Sequence, residues 1–224
     1  RSGLSPKDIE ARMRQAIIAY FMANSAAFWS AVREHVLISA ASLAVALLIA
    51  VPGGYLCVRY GGLKKALLAV FQTLRIVPSL AVLFLLIPVM GTGFMPATAA
   101  LVLLAVPPIL LNTVAGLDGV PQGMLETAAG LGMTRRQVWR RVRFPLAMPM
   151  ILTGVKIAVI EIIASATLAA KIGAGGLGEI IFTGLGLNRI DLLLIGGFSV
   201  AVLSLAGGLT FAVLDKALFR YREA

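Results

Sequence analysis

Residues 118–145, DGVPQGMLETAAGLGMTRRQVWRRVRFP, form the one long polar break between apolar segments of this chain. They contain five of the twenty basic residues, and their only acids are Asp118 and Glu126. The flanking segments 97–117 and 146–170 are apolar over about the 20 residues that a helix needs to cross a bilayer core of about 30 Å. The stretch is therefore predicted to be a polar connection between two membrane helices.

The composition of the whole chain indicates an integral membrane protein. Hydrophobic residues make up 59% and charged residues 13%, and the mean hydropathy is +0.95, whereas soluble domains are about 45 to 50% apolar. The net charge of +10 is carried by short basic clusters between apolar segments rather than by one soluble face. Nucleic acid is therefore not an expected partner, and the clusters are predicted to anchor the chain at membrane lipid.

The predicted fold is all-α with five core transmembrane helices. The predicted spans, each close to the length that a bilayer requires, are 36–58, 66–90, 97–117, 146–170 and 192–214. Residues 36–215 would form the transmembrane domain and 216–224 a basic cytoplasmic tail.

The N-terminal part of the chain allows two interpretations. Residues 1–14 form a polar tail of mixed charge, with Met13 as a candidate natural start. Residues 15–35 form the next segment, of which 15–32 are apolar but interrupted by Asn24 and Ser25, so the segment predicts either an amphipathic helix in the interface or a sixth membrane helix.

The positive-inside rule predicts the orientation. Alternation across five spans puts the basic loop 59–65, the arginines of 135–143 and the C-terminus on one side, which is then cytoplasmic. The four basic residues of 1–14 would lie outside. A sixth span would remove that conflict, so the rule favours six spans while the broken apolar run favours five.

Several kinds of chemistry are excluded by residue counts. The single Cys57 excludes a disulfide within the chain and a multi-cysteine metal site, and the single His35 excludes a histidine-based ligand cluster and a typical Ser/His/Asp triad. We expect Cys57 to pack between helices and His35 to lie at the interface. A nucleotide-binding P-loop needs a Gly-Lys dipeptide, which the chain lacks, so the chain is not expected to hydrolyse ATP.

The segment IGAGGLGEII, which begins at Ile172, fits the dinucleotide pattern G-x-G-x-x-G at Gly173, Gly175 and Gly178. The strand and helix that this pattern needs around it are missing, because the segment follows a predicted membrane helix. These glycines and Gly176 are predicted instead to form a tight turn or a close backbone approach in an external loop.

The polar stretch itself predicts a helical hairpin. Glu126 is placed where a first helix begins, Gly132 offers a break, and a second short helix would occupy 134–143 with Thr134 as its N-cap. Pro145 is compatible with the first turn of the next membrane helix. The tip would present Met133, Thr134 and Arg135, and the alternative is that the arginines only anchor lipid headgroups.

The hairpin resembles the EAA motif of permease subunits of binding-protein-dependent ABC importers. Glu126-Thr127-Ala128 stands at E-A-A, Gly132 at the glycine, and Val142-Arg143-Phe144-Pro145 at I-x-L-P after a nine-residue gap. Thr127, Val142 and Phe144 depart conservatively from the pattern. The resemblance implies a coupling hairpin over 118–145 that docks on a cytoplasmic ATPase through Glu126, Ala128, Gly132, Met133, Thr134, Arg135, Arg136 and Pro145.

Further segments resemble the osmoprotectant branch of these permeases, among them LRIVPSLAVL at 74–83, GLGMT at 130–134, ATLA at 166–169 and IGAGGLG at 172–178. This branch imports glycine betaine, choline, carnitine or related quaternary amines. Lys156 and Asn112 depart from its commoner residues, so the exact solute stays open.

The resemblance also implies the partners. These are two ABC ATPase subunits that bind ATP and Mg²⁺, a second permease copy or a paralogue, and a separate solute-binding protein outside a bacterial cytoplasmic membrane. The chain itself would bind no cofactor and would not be an enzyme.

Charged residues inside the predicted spans are candidates for the translocation path, since an unpaired charge there costs several kcal/mol. At about 1.5 Å per residue from Lys65 and Pro145, Arg75 and Lys156 lie at roughly 15 Å depth and Glu161 at roughly 24 Å. The hypothesis is that Lys156 or Arg75 neutralises Glu161 near the path. The alternative is a packing or snorkelling role away from it.

Pro78 and Ser79 are predicted to form a hinge or gate, because proline removes a backbone donor and serine can satisfy the freed groups. Ordinary kinking without gating is the alternative. Thr167, which lies in the segment that resembles the osmoprotectant branch, is a further candidate residue of the translocation path.

Other transport functions are alternatives to the permease of an osmoprotectant importer. An ABC permease for another small solute, such as an amino acid, would share the hairpin. An ion-driven secondary transporter would also show charges in spans and broken helices, but it often carries an inverted repeat, and none is seen in this sequence. A channel or scaffold has only the hydrophobicity in its favour.

Overall fold

The structure is a computed structural model that describes residues 6–218 of the chain. Within this range it contains helices and no strand, which confirms the all-α prediction. In chain order the α-helices are α1 Pro6–Arg59, α2 Gly61–Leu74, α3 Ser79–Met90, α4 Phe94–Asp118, α5 Gln122–Gly130, α6 Arg135–Val138, α7 Phe144–Ala169, α8 Leu177–Gly186 and α9 Ile190–Leu218.

The centre of the fold is the packed pair α4 and α7, which carry most of the buried apolar side chains. Glycines let the two backbones approach each other, because a Cβ on Gly154 would lie 2.8 Å from the Pro108 carbonyl oxygen and one on Gly116 would lie 2.8 Å from that of Ala147. Small residues at such crossings are typical of membrane helices, whose association depends on close van der Waals packing. α4 stays one helix through Pro107 and Pro108, both of which are buried.

Among residues 6–218, four helices are long and apolar enough to cross a membrane. A fifth crossing exists if α2 and α3, which meet at an angle of 100°, count as one broken span. The break predicted at Pro78 and Ser79 is confirmed, since residues 75–78 are non-helical and Pro78 precedes α3 with an extended backbone (φ −59°, ψ 132°). The predicted span 66–90 is therefore two short helices rather than one straight helix.

The N-terminal segment joins the first span without a loop. α1 has one non-helical residue, Asn24 (φ −128°, ψ 22°), and a single candidate span covers Glu10–Arg59. Among the residues described, no separate sixth span precedes it. Residues 6–14 of the predicted polar tail belong to α1, while residues 1–5 and 219–224 of the two predicted tails lie outside the described residues.

Cys57 is fully buried, as expected of a packing residue. His35 was expected as an interfacial residue, and the structure shows its side chain to be fully buried within the protein rather than exposed. Its Nε2 donates to the carbonyl oxygen of Ile163 in α7 at 3.0 Å. A buried imidazole needs such a partner, and α7 supplies one only because α1 packs directly against it.

Candidate functional site

The polar stretch forms a hairpin whose first limb is α5. The predicted start of this limb was wrong: α5 begins at Gln122, directly after Pro121, and Glu126 lies in its middle. Pro121 has φ −56° and ψ 131°, an extended conformation that ends the connection from α4 and leads into a new helix. Glu126 is exposed on α5 and Ala128 is buried.

Two local motifs close the tip of the hairpin. At the end of α5 the Met133 amide donates to the Ala128 carbonyl at 3.2 Å and the Gly132 amide donates to that of Ala129 at 2.9 Å. This is the Schellman arrangement, which needs a left-handed residue, and Gly132 has φ +80°. The predicted break at Gly132 therefore has a conformational cause.

Thr134 immediately starts the second limb, and its predicted role as N-cap is confirmed. Its Oγ1 accepts from the Gln137 amide at 3.3 Å, and the Gln137 Oε1 accepts from the Thr134 amide at 2.8 Å. This reciprocal capping box satisfies two amides that a helix start leaves without partners. The tip is thus fixed by bonds among ten consecutive residues, 128–137.

The second limb does not end before Pro145, which corrects the prediction of a separate short helix over 134–143. α6 continues through a π-helical turn, Trp139–Arg143, directly into α7, and the candidate membrane segment covers Arg135–Ile172. A proline in a regular helix clashes with the carbonyl four residues earlier. The wider π turn, in which the Phe144 amide donates to the Trp139 carbonyl, relieves this clash and leaves Pro145 in the first turn of α7.

Contacts at the base hold the hairpin against the membrane helices. Arg143 donates from Nε to the Leu117 carbonyl at the end of α4, at 3.1 Å. Asp118 forms an ion pair with Lys64 of α2. Its Oδ1 also lies 3.9 Å from the Arg143 Nη2. Because a single carboxylate pairs with cations from two elements, it joins the start of α2 to the hairpin.

Aromatic rings complete the base. Trp139 lies 4.5 Å from the Tyr55 ring of α1 and 6.4 Å from the Phe144 ring, measured between centroids. The contacts that Lys64 and Tyr55 make with the hairpin base were not predicted from the sequence, nor was the packing role of Trp139, although Trp139 lies within the predicted hairpin 118–145. Asp118 was the available signal, since it is one of only two acids in a strongly basic stretch.

The tip of the hairpin is exposed, in contrast to the packed base. Thr134, Arg135 and Arg136 are exposed and Met133 is half-buried. A Cβ placed on Gly132 or on Gly130 would meet no atom within 4 Å. The sequence-predicted coupling residues therefore form a surface that a partner can cover, except for the buried Ala128 and for Pro145 at the base.

The six path candidates are spread over two parts of the fold. Arg75 and Pro78 are exposed at the break between α2 and α3, beside the half-buried Ser79 that begins α3. On α7, Lys156 is exposed, Glu161 is half-buried, and Thr167 donates from Oγ1 to the Ala164 carbonyl at 2.7 Å.

The structure does not join these charges into an ion pair. Within residues 6–218 no salt bridge includes Arg75, Lys156 or Glu161. Lys156 and Glu161 are five residues apart, hence about 140° around the helix axis. They face different directions, so in this conformation Lys156 does not neutralise Glu161.

The glycine segment after α7 is a tight turn held by α1. Gly173, Gly175 and Gly176 have φ of +73°, +77° and +87°. The Gly176 amide donates to the Glu34 Oε2 at 3.0 Å, which places a carboxylate at the N-terminus of α8. A Cβ on Gly178 would lie 2.0 Å from the Thr167 carbonyl oxygen, so α7 and α8 touch there through their backbones.

Comparison with known proteins agrees with this architecture. Residues 46–220 match the family described as binding-protein-dependent transport system inner membrane component. The carnitine transport permease protein OpuCB of Listeria monocytogenes is 38% identical over 213 residues, which cover 93% of this chain and 98% of that protein. The choline transport system permease protein OpuBB of Bacillus subtilis (strain 168) is 35% identical over 202 residues, with 90% and 93% covered.

Among solved structures, an inward-facing form of the MetNI methionine ABC transporter shares the fold with a TM-score of 0.71 at 22% identity, over 85% of this chain and 95% of that one. The family match covers more than half of the chain, and the two permeases align with nearly its whole length. The chain therefore belongs to the family of binding-protein-dependent transport system inner membrane components.

Proposed function

We propose that this chain is the permease subunit of an ATP-driven importer for a quaternary-ammonium or betaine-like osmoprotectant. Support for the solute class comes from the carnitine and choline permeases that align with nearly the whole chain. The sequence segments shared with the osmoprotectant branch point in the same direction. The expected location is a bacterial cytoplasmic membrane, with the hairpin on the cytoplasmic side.

The observation that carries the coupling role is the continuity between the tip of the hairpin and α7. No loop separates the capping box at Thr134 from the membrane helix, because α6, the π turn and α7 follow one another directly. A displacement of the tip by a partner is therefore transmitted along a helix whose inner face is packed against α4. A flexible linker at this place would absorb the same displacement.

The proposed partners follow from this arrangement. An ATPase that binds ATP and Mg²⁺ docks on the exposed tip, and two permease subunits present one tip to each of two ATPases. Closure of the ATPases moves the tips and opens the path alternately to each side of the membrane. A separate binding protein delivers the solute at the opposite face.

We also propose roles in the transport cycle for the candidate residues of the translocation path. The break at Arg75, Pro78 and Ser79 is a place where α2 and α3 can change their 100° angle during this cycle. Glu161, Lys156 and Thr167 lie along α7, the helix that would receive the movement. Uptake lost in Glu161→Gln, with normal membrane insertion, would support its place in the path.

The cognate binding protein provides the test of the solute. We expect choline, carnitine or glycine betaine to raise its midpoint temperature of unfolding, because a ligand that binds only the folded form stabilises it by mass action. The same solute should then drive ATP-dependent uptake into proteoliposomes that hold permease, ATPase and binding protein. Stabilisation by amino acids alone would reject the osmoprotectant assignment and leave the permease role intact.

A further inference from the structure

A cavity of about 570 Å³ lies between the end of α1 and the second limb of the hairpin. Its lining includes the four arginines Arg59, Arg135, Arg136 and Arg143 and the rings of Tyr55 and Trp139. No carboxylate is among the residues that line it. We call this cavity the basic pocket.

The four guanidinium groups have few partners within the protein. Arg59 donates from Nη1 to the Tyr55 hydroxyl at 3.1 Å, and Arg143 makes the contacts with Leu117 and Asp118 described above. In the part of the chain that the structure describes, no ion pair includes Arg135. Each guanidinium has five N–H donors, so most donors of the basic pocket have no acceptor among residues 6–218.

Such a concentration of positive charge favours an anion with several acceptor oxygens. Like charges gathered in one cavity repel each other, and an anion removes that cost. The planar fork of arginine matches a phosphate group in a bidentate way, and these charge-assisted bonds are about twice as strong as neutral ones. The shared chemistry of the expected ligand is therefore a phosphate-bearing anion.

The position of the basic pocket selects a lipid as the source of the phosphate. Arg59 is the last residue of α1, a membrane-crossing helix. Leu48 and Leu56 of α1 are 75% and 46% exposed, and with the exposed Pro52 they form an apolar stripe at four-residue spacing that leads toward Arg59. Aromatic rings such as those of Tyr55 and Trp139 mark the level of lipid headgroups.

We propose that the basic pocket binds the phosphate of an acidic phospholipid, whose acyl chains lie along the exposed stripe of α1. One phosphate would accept hydrogen bonds from Arg59 of α1 and from Arg135 of the hairpin, two elements that this ligand would then join. The position of the hairpin relative to α1 would depend on the acidic lipid content of the membrane. This inference goes beyond the proposed transport function and stands independently of the solute.

The test measures lipid binding by the purified full chain in detergent. Native mass spectrometry of the wild type, titrated with phosphatidylglycerol or phosphatidylcholine, should show preferential retention of phosphatidylglycerol. Arg59→Gln should weaken the apparent affinity for phosphatidylglycerol about tenfold, the effect of one lost charge-assisted hydrogen bond. Arg135→Gln should act similarly and provides a second variant on the other side of the basic pocket.

Arg141→Gln is the matched control. This substitution removes the same charge from an exposed residue of the π turn Trp139–Arg143. Arg141 does not line the basic pocket. We expect this variant to retain phosphatidylglycerol like the wild type, and an unchanged midpoint temperature will show that each variant is folded.

Three results would overturn the proposal. Equal losses in Arg59→Gln and Arg141→Gln would show diffuse attraction rather than a site. If inorganic phosphate, at the same concentration as the lipid, bound the chain as strongly as phosphatidylglycerol does, the basic pocket would be assigned to a free anion. Binding of a short acidic peptide in place of phosphatidylglycerol would assign it to a protein partner.

Discussion

The continuous helix formed by α6, the π turn and α7 has a glycine-containing turn at each end, yet the two turns are held in different ways. The turn before α6, at Gly132, is closed by hydrogen bonds within residues 128–137. The turn after α7, at 173–176, is held by Glu34, whose carboxylate accepts from an amide 142 positions later in the chain. Next to it, His35 bonds a carbonyl of α7 across 128 positions.

This difference separates a movable end of α7 from a fixed one. A side chain on Gly132 would point into open space, so the tip of the hairpin is available to a partner. A side chain on Gly175 would lie 2.3 Å from the Glu34 carboxylate, so the C-terminal end of α7 packs closely against α1. Substitutions should therefore damage the fold at the second turn and the coupling at the first.

Gly178→Ala should have the largest effect on stability. The added Cβ would lie 2.0 Å from the Thr167 carbonyl oxygen, which is backbone and cannot rotate away. We expect a cost of about 3 kcal/mol, the upper range for overpacking a well-packed site. The yield of monodisperse protein in detergent and its midpoint temperature measure this loss.

Gly186→Ala is the control for this variant, because it lies in the same helix and its Cβ would meet nothing within 4 Å. It should be as stable as the wild type. Similar behaviour of the two alanine variants would mean that the close contact between α7 and α8 does not determine stability.

Glu34→Ala should have the second largest effect. It leaves the Gly176 amide without its acceptor and removes a negative charge from the N-terminus of α8, for a cost of about 2 kcal/mol. Glu34→Gln keeps an acceptor oxygen and should recover part of the loss. Thermal unfolding of both variants measures the difference.

Glu10→Ala removes an exposed carboxylate of the same helix and serves as the control. It should leave the midpoint temperature unchanged. If Glu34→Gln is no more stable than Glu34→Ala, the contact with Gly176 is not what holds this end of α7.

The same contrast explains how much of this protein could be predicted from its sequence. The break at Gly132 and the cap at Thr134 could be predicted, because local hydrogen bonds determine both. The helical membrane fold followed from hydropathy for a similar reason, since each span satisfies its own backbone. The break at Pro78 is equally local, because proline acts on its own helix.

The predictions failed where a contact between residues distant in sequence, or the conformation of an adjacent turn, determines the structure. His35 was expected at the interface because nothing near it in sequence shows that α7 offers a carbonyl group. Glu34 was not recognised as the partner of the glycine turn for the same reason. The limits of α5 and α6 were misplaced because Pro121 starts a helix earlier than Glu126, and a π turn lets a helix pass Pro145.

Gly132→Ala tests the movable end. The left-handed conformation at Gly132 costs a residue with a Cβ about 1 to 2 kcal/mol, although space is available for the side chain. We expect normal insertion and a midpoint temperature lowered by only a few degrees, with a several-fold loss of ATP-dependent uptake in the reconstituted transporter. Gly132→Asn should be milder, because asparagine tolerates this conformation.

Gly130→Ala is the matched control, since Gly130 is exposed at the end of α5 with φ outside the left-handed region. Its uptake should equal that of the wild type. A thermal instability of Gly132→Ala as large as that of Gly178→Ala would contradict the distinction between a movable and a fixed end.

Thr134→Ala should have the smallest effect on stability, and we expect this effect to be confined to the tip of the hairpin. It removes one half of the capping box, worth about 1 kcal/mol, while the Gln137 side chain can still accept from the residue 134 amide. Hydrogen exchange of the amides in 135–138 should accelerate several-fold, with no change in the amides of α8. Thr127→Ala, which removes an exposed hydroxyl from the middle of α5, is the control and should leave that exchange unchanged. Acceleration that also reached α8 would show that the two ends of α7 are coupled through the helix in the resting protein, so that the tip is less independent than its local bonds indicate.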